Sequence, residues 1–392
     1  MQCNKNIPEL RFPEFEEEWE EKKLSQINKI TMGQSPSSKY YTKNQNDTIL
    51  VQGNQDIANN YVIPRIYTSK ITKIAKKGEI LLTVRAPVGD IVITQYDVCI
   101  GRGVCSIKPS ISTGFMFFYL AKLNSKNQWN KYIQGSTFES INSKDITSMK
   151  IKIPKSSKEQ EKIANFLTCI DQKISFMEKK HTLYQNIKKY LLKNLFAHKS
   201  EYPILRFNFN DKLKKITLKD ILKESKIKTN DDINKRLTVK LNLNGITKRI
   251  PNTSEVEGAT TQYLRKSGQF IYGKQNLHNG AFGIIPSYLD GYLSSSDIPS
   301  FDFIKSIDKF WLYYYFSDKD YYHRLERLST GTGSKRISPT DFLKIKINMP
   351  SFNEQEKIVD LISSLDIKIN EIQKQIKNTK KFKKGLLQKM FC

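Results

Sequence analysis

Two stretches of this chain place residues at alternating spacings of three and four, the period of one helix face. The first runs through Ile163, Leu167, Ile170, Ile174, Met177, His181, Tyr184, Lys188, Leu191 and Leu195. The second runs through Ile358, Ile362, Leu365, Ile369, Ile372, Ile376, Thr379, Lys383, Leu386 and Met390. Both seams are apolar at their ends and interrupted at equivalent places, Lys188 answering to Lys383. Each starts at a serine three residues before a glutamate, Ser156 before Glu159 and Ser351 before Glu354, which is capping-box spacing. At ~1.5 Å per residue, a helix from about Glu159 to Phe196 is on the order of 55 Å long, more than a globular core needs. Such a seam predicts a partner helix, and such a length predicts a spacer.

The remaining pattern is mixed. Gly78–Arg85 and Asp90–Thr94 read as strands joined by a Pro87-Val-Gly89 turn, with Gly268–Gly273 and Gly283–Pro286 in similar places later in the chain. Lys150-Ile-Lys-Ile153 and Lys344-Ile-Lys-Ile347 alternate with period two, as a strand with one buried face does. The expected organisation is α+β: a mixed domain over 1–155, a long helix over 156–199, a second mixed domain over 200–350 and a second long helix over 351–392.

The two halves are copies. Glu159-Gln160-Glu161-Lys162-Ile163 returns as Glu354-Gln355-Glu356-Lys357-Ile358, and Leu10-Arg11-Phe12 returns as Leu205-Arg206-Phe207, both 195 residues on. Between these tracts, Gly135-Ser136-Thr137, Ile141, Asp145, Ile151 and Pro154 answer to Gly331-Thr332-Gly333, Ile337, Asp341, Ile347 and Pro350, one residue out of register, as a loop indel would leave them. With one capped helix in each copy, the simplest closed arrangement packs the helices as an antiparallel coiled coil.

Charge narrows the function. Lys and Arg outnumber Asp and Glu by 65 to 39, a formal net charge of +26, which points to a polyanionic partner, with nucleic acid foremost. No stretch approaches 18 consecutive apolar residues and no apolar segment follows the N-terminus as in a signal peptide, so a cytoplasmic protein is expected. The five cysteines (Cys3, Cys99, Cys105, Cys169, Cys392) are scattered without a C-x-x-C pair, against a disulfide framework or a structural zinc site. The histidines are dispersed, and no metal site is expected.

The order of mixed domain, P-x-x-x-x-E-Q-x-x-I (Pro154 to Ile163), long helix, second mixed domain, P-x-x-x-E-Q-x-x-I (Pro350 to Ile358) and terminal long helix resembles the DNA-specificity subunit of type I restriction-modification enzymes over essentially the whole chain. The resemblance implies two target-recognition domains, each reading one half of a split site in double-stranded DNA, held apart by the helices. It also implies docking of two methyltransferase subunits and, in the full complex, of nuclease/translocase subunits. S-adenosylmethionine, ATP and Mg would then belong to those partners, leaving this chain with no cofactor and no catalytic residue. In agreement, the chain has no Pro-Pro pair and so lacks the Asn/Asp-Pro-Pro-aromatic loop of adenine methyltransferases, and Gly331–Lys335 does not satisfy a phosphate-loop motif. A stand-alone nuclease and a helical protein–protein adaptor are the alternatives.

Base readout requires side chains with paired donors or acceptors on loops. In the first domain the candidates are Gln34, Ser35, Ser37 and Lys39; Gln52, Asn54 and Gln55; and Arg85 and Arg102, both on tight turns. In the second they are Lys274, Gln275 and Asn276, Ser294 and Ser295 of a serine run, and Lys335 and Arg336. Each alone is also an ordinary solvated turn residue. The aromatic runs Phe117-Phe118-Tyr119 and Tyr313-Tyr314-Tyr315 sit among apolar neighbours and read as core.

Overall fold

The period-two stretch Lys150–Ile153 is a strand, and its partner is Glu20–Lys23, antiparallel with Glu20 opposite Ile153. Its counterpart is Lys346–Met349 against Lys214–Thr217, with Lys214 opposite Met349. This second strand begins two residues later than the alternation alone predicts. Ser338 caps a short helix, Pro339–Leu343, so Lys344 and Ile345 leave the helix before pairing starts.

The computed structural model describes residues 6–58, 60–125, 129, 139–198, 200–207, 211–252, 256–330 and 335–392. They form two compact units, one from residues 1–178 with 373–392, the other from 179–372. Gly135–Thr137, Gly331–Gly333 and Cys3 lie outside the described residues.

In the first unit a four-stranded antiparallel sheet runs in the order Ile91–Ile93, Ile80–Thr83, Val104–Pro109, Asn28–Met32. A second, five-stranded sheet includes Thr48–Val51 parallel to Val98–Ile100. Leu81, Val92 and Val104 of the first sheet and Val51, Ala75 and Ile100 of the second share one apolar core. Helix α1 (Thr113–Ser125) buries Phe117, Phe118 and Tyr119, the packing role expected of that aromatic run.

The second unit repeats this plan. Its four-stranded sheet runs Phe282–Ile284, Phe270–Tyr272, Ser300–Phe303, Leu222–Ser225, element for element the order of the first. Helix α4 (Lys309–Phe316) buries Tyr314 and Tyr315, while Tyr313 is half-buried. They pack into a core with Phe270, Phe282, Phe316 and Phe342, Tyr313 edge-on to Phe282 and Tyr315 edge-on to Phe316.

Each long helix has 38 residues, α3 (Ser157–Asn194) and α7 (Phe352–Lys389), about 57 Å at the α-helical rise. The two matched tracts of the repeat meet at the helix starts. Arg11 donates from Nε and Nη2 to the two carboxylate oxygens of Glu159, each at 2.8 Å, and Arg206 makes the same bidentate pair with Glu354. The glutamates are 2% and 1% exposed. Here the capping-box expectation is corrected. Glu159 receives Arg11 and Trp19 and Glu354 receives Arg206, while Ser351 Oγ is buried without a hydrogen-bond partner.

The neighbouring glutamine does the joining. Gln160 Nε2 donates to Pro154 O and its Oε1 accepts from Ser112 N; Gln355 Nε2 donates to Pro350 O and its Oε1 accepts from Asp308 N. Each glutamine therefore ties the strand before its helix to the entry of α1 or α4. The spacing from proline to glutamine differs by one residue between the copies, yet the contact is kept, so the return to the 195 register falls in this loop.

The seams are packed as helix pairs within each unit. In the first, Ile163, Leu167, Ile170, Ile174, Met177, Leu386 and Met390 are buried, and Asp171 and Glu178 of α3 bind Lys383 and Lys380 of α7. Residue numbers rise along one helix as they fall along the other, so the pair is antiparallel. In the second, Leu195, Ile358 and Ile362 share a core with partly buried Leu191, Leu365, Ile369 and Ile372 are buried, and Lys188 binds Asp366 at 2.5 Å. Ile376 is half-buried.

The lysine interruptions of the seams are thereby explained. Lys188 with Asp366 and Lys383 with Asp171 are the same contact in the two copies, offset by 195 on both partners. Each lysine also lies over an aromatic ring of α4 or α1, Tyr314 at 5.6 Å and Phe118 at 5.3 Å.

Candidate nucleic-acid interface

Glycines decide how closely the loops of the first unit approach. Gly33 donates to Val104 O and Gln34 N to Ile100 O, and a Cβ at Gly33 would stand 2.1 Å from Gly101 O. A Cβ at Gly103 would stand 2.2 Å from Gln52 O. Only glycine permits backbone to lie on backbone in this way. Arg102 N donates to Ser35 Oγ at 3.1 Å, Gly101 N to Val51 O, and Val84 N to Gly103 O.

Four sequence candidates thus converge: the 34–39 loop, the 52–55 loop, the 101–103 turn and Arg85 beside Val84. Gln34, Ser37, Lys39, Gln55, Arg85 and Arg102 are exposed; Ser35, Gln52 and Asn54 are half-buried. Asp56 organises the second loop, accepting from Gln52 N and Gly53 N through one carboxylate oxygen. The amide oxygens of Gln52 and Gln55 accept from Tyr41 Oη and Arg65 Nη1.

Two cations escaped the sequence reading. Arg65 stands 3.8 Å from Asp56 and bonds Gln55, and Lys70 shares the Tyr40 ring with Lys39, each ammonium 5.1 Å from its centroid. Neither lies beside a glycine that would mark a turn, so spacing gave no signal; both flank the strand Tyr67–Thr68, whose pairing brings them here, and Thr68 Oγ1 accepts from Lys70 N.

In the second unit, Lys274 N donates to Asp297 O, Ile337 N donates to Lys274 O, and Arg336 Nη1 donates to Asp297 Oδ1 at 3.1 Å. Lys335 binds Glu326 at 2.8 Å and holds that exposed carboxyl below its ordinary value. Lys335 and Arg336 are both exposed, in ion pairs that water weakens and a phosphate can displace. Gln275 is exposed and Asn276 half-buried, its Oδ1 accepting from Asn279 Nδ2.

The serine run is corrected. Ser294 is 2% exposed, accepts from Arg265 Nε and donates to Ile298 O, so it faces the interior and no ligand. Ser295 is half-buried, its Oγ accepting from Asp297 N and its carbonyl from Arg265 Nη2. Ser294 lies mid-strand, opposite Tyr263, and alternation along Leu293–Ser295 turns its side chain toward Arg265.

Among the described residues no group of three His, Cys, Asp or Glu is placed to hold a metal ion, and no helix is long and apolar enough to cross a membrane. Burial lifts the Cys105 thiol to about 12, far from a reactive thiolate.

A model of the type I restriction modification DNA specificity domain matches residues 16–185 and again 183–379. The chain belongs to this family. Its duplicated architecture is that of two specificity domains in one polypeptide. Among curated proteins it is 34% identical over 201 residues to a putative type I restriction enzyme MjaX specificity subunit of Methanocaldococcus jannaschii, covering 50% of this chain and 47% of that protein. It is 30% identical over 210 residues to the MjaIX specificity subunit of the same organism, covering 50% and 48%. The matches thus span about half the length of these relatives. In fold it is similar to the S subunit of a type I restriction-modification system from M. genitalium, with a TM-score of 0.64 at 14% identity over 98% of this chain and 99% of that one.

Proposed function

We propose that this chain is a non-catalytic DNA-specificity subunit that reads a two-part site in double-stranded DNA, one part with each of its mixed domains, over 1–155 and 200–350. The observation that supports this reading is that, in each unit, hydrogen bonds hold together the backbones of separate loops that carry amide and basic side chains, in a family whose model is that of a DNA-specificity domain. Gln34, Gln55, Arg85 and Arg102 form the reading edge of the first domain, with Arg65 added. Lys274, Gln275, Lys335 and Arg336 form that of the second. Phosphate contacts from the excess of basic residues supply affinity, and base-edge contacts supply discrimination.

Chemistry belongs to separate chains. Two methyltransferase subunits dock on the helices and bring S-adenosylmethionine to an adenine in each half-site; nuclease/translocase subunits bring ATP and Mg. The lengths of α3 and α7 set the gap between half-sites, and the complex works in the cytoplasm. A pool of randomised duplexes, selected on the purified chain with its methyltransferase partners and sequenced, tests the reading. Enrichment of two short motifs at one fixed gap is the expected result. Equal recovery of all sequences, or DNA cleavage by the chain alone with Mg, overturns it.

A further inference from the structure

Arg265 lies in a turn between the strand Gln262–Leu264 and Gly268 and is 1% exposed. Its five N–H donors meet five neutral acceptors: Nε to Ser294 Oγ, Nη1 to Ser225 O and Ser300 Oγ, Nη2 to Ser295 O and Ile298 O. Every one of these contacts is with a hydroxyl or backbone carbonyl. Burial pulls the guanidinium down to about 10, so it stays charged at neutral pH. Burying a cation without a hydrogen-bonded carboxylate is costly, and an apolar side chain would fill the space more cheaply. What the arginine supplies is geometry, since four of its five contacts close on the segment 294–300.

That segment carries Asp297 to the edge of the domain. Asp297 O accepts from Lys274 N at 2.9 Å and Asp297 Oδ1 accepts from Arg336 Nη1 at 3.1 Å. A continuous path therefore runs from the buried guanidinium, through the turn, to half-buried Lys274 and exposed Arg336. We propose that Arg265 is a positioning residue for DNA reading by the second domain, fixing through Asp297 the backbone of Lys274 and the side chain of Arg336. The proposal rests on the DNA-specificity reading above. Lysine cannot replace Arg265, because three donors on a flexible stem cannot span the turn.

The test uses the full chain with its methyltransferase partners and the randomised duplex pool. Arg102→Ala, in the first domain, identifies which half-site that domain reads. Arg265→Lys and, separately, the surface change Asp297→Ala are expected to lower base preference in the other half-site by about tenfold, the worth of one good base contact, leaving the first half-site sharp. A role in stability alone predicts weaker binding to all duplexes with both motifs unchanged, and that result overturns the proposal. If Arg265→Lys does not fold, Asp297→Ala decides by the same readout: loss of preference in the second half-site supports the proposal and full retention overturns it. Selection of no motif by the unaltered chain refutes instead the DNA-specificity reading, and the proposal with it.

Discussion

Truncating Arg206 or Glu354 should cost the second unit a large share of its stability, and the two losses should not add. Glu354 is 1% exposed and receives two charge-assisted bonds of 2.8 Å from a guanidinium whose side chain is 16% exposed. Removing one partner of a buried pair costs about 3–5 kcal/mol, because the other charge is left without compensation. Water reaches part of Arg206, so about 2–3 kcal/mol is expected for Arg206→Met or for Glu354→Gln. The double variant should lose little more than either single one, giving a coupling of about 1.5–2 kcal/mol. Urea titrations of the four proteins by far-UV circular dichroism supply the cycle, with Arg11→Met and Glu159→Gln as the equivalent pair in the first unit. A coupling under ~0.5 kcal/mol would refute the claim that the two repeated tracts act as one clamp.

Other outcomes follow from single contacts. Exchanging the charges of Lys188 and Asp366 one at a time should lower stability by about 1 kcal/mol each, since both are partly exposed, and making both exchanges together should recover most of it in denaturant melts. Gly103→Ala drives a methyl group to 2.2 Å from Gln52 O, and should blunt base preference in the half-site read by the first domain, leaving the second intact in duplex selection. For Asp318, burial raises the carboxyl pKa, but nearby His198 and the backbone N–H groups of Asp320 and Tyr321 outweigh it and leave the group below its ordinary value. A depressed carboxyl stabilises above its unfolded pKa of about 4 and loses that contribution as pH falls through the folded one. Asp318→Asn should therefore lower Tm at pH 7, with the gap closing in acid; a gap independent of pH contradicts this.

The sequence carried the long helices because a 3-4 seam is a local pattern that survives any tertiary setting. It carried the repeat because identical tracts recur at one offset. What it could not carry was the partner of each polar group. Glu159 and Glu354 stand at capping-box spacing, but arginines nearly 150 residues upstream take their carboxylates. Lys188 and Lys383 look like breaks in the seam until Asp366 and Asp171 arrive from the other helix. The loops that come together in the first unit were legible where turns announced them, at Gly33–Lys39 and Gly101–Gly103, whereas Arg65 and Lys70 owe their positions to strand pairing and Arg265 its place to a buried turn. The serine run misled because a polar sequence on a strand still has an inward face, and Ser294 occupies it.

The central claim is that two copies of one domain read two different pieces of one DNA site. It is tested most directly by mapping methylated adenines, at single-base resolution, in DNA from cells carrying this chain and its methyltransferase partners. Modification is expected within two short, unlike motifs separated by a constant gap of unspecified bases, with the motif of one half changed when residues 200–350 are replaced by those of another family member. A single uninterrupted motif, or a motif unaffected by that replacement, would contradict it.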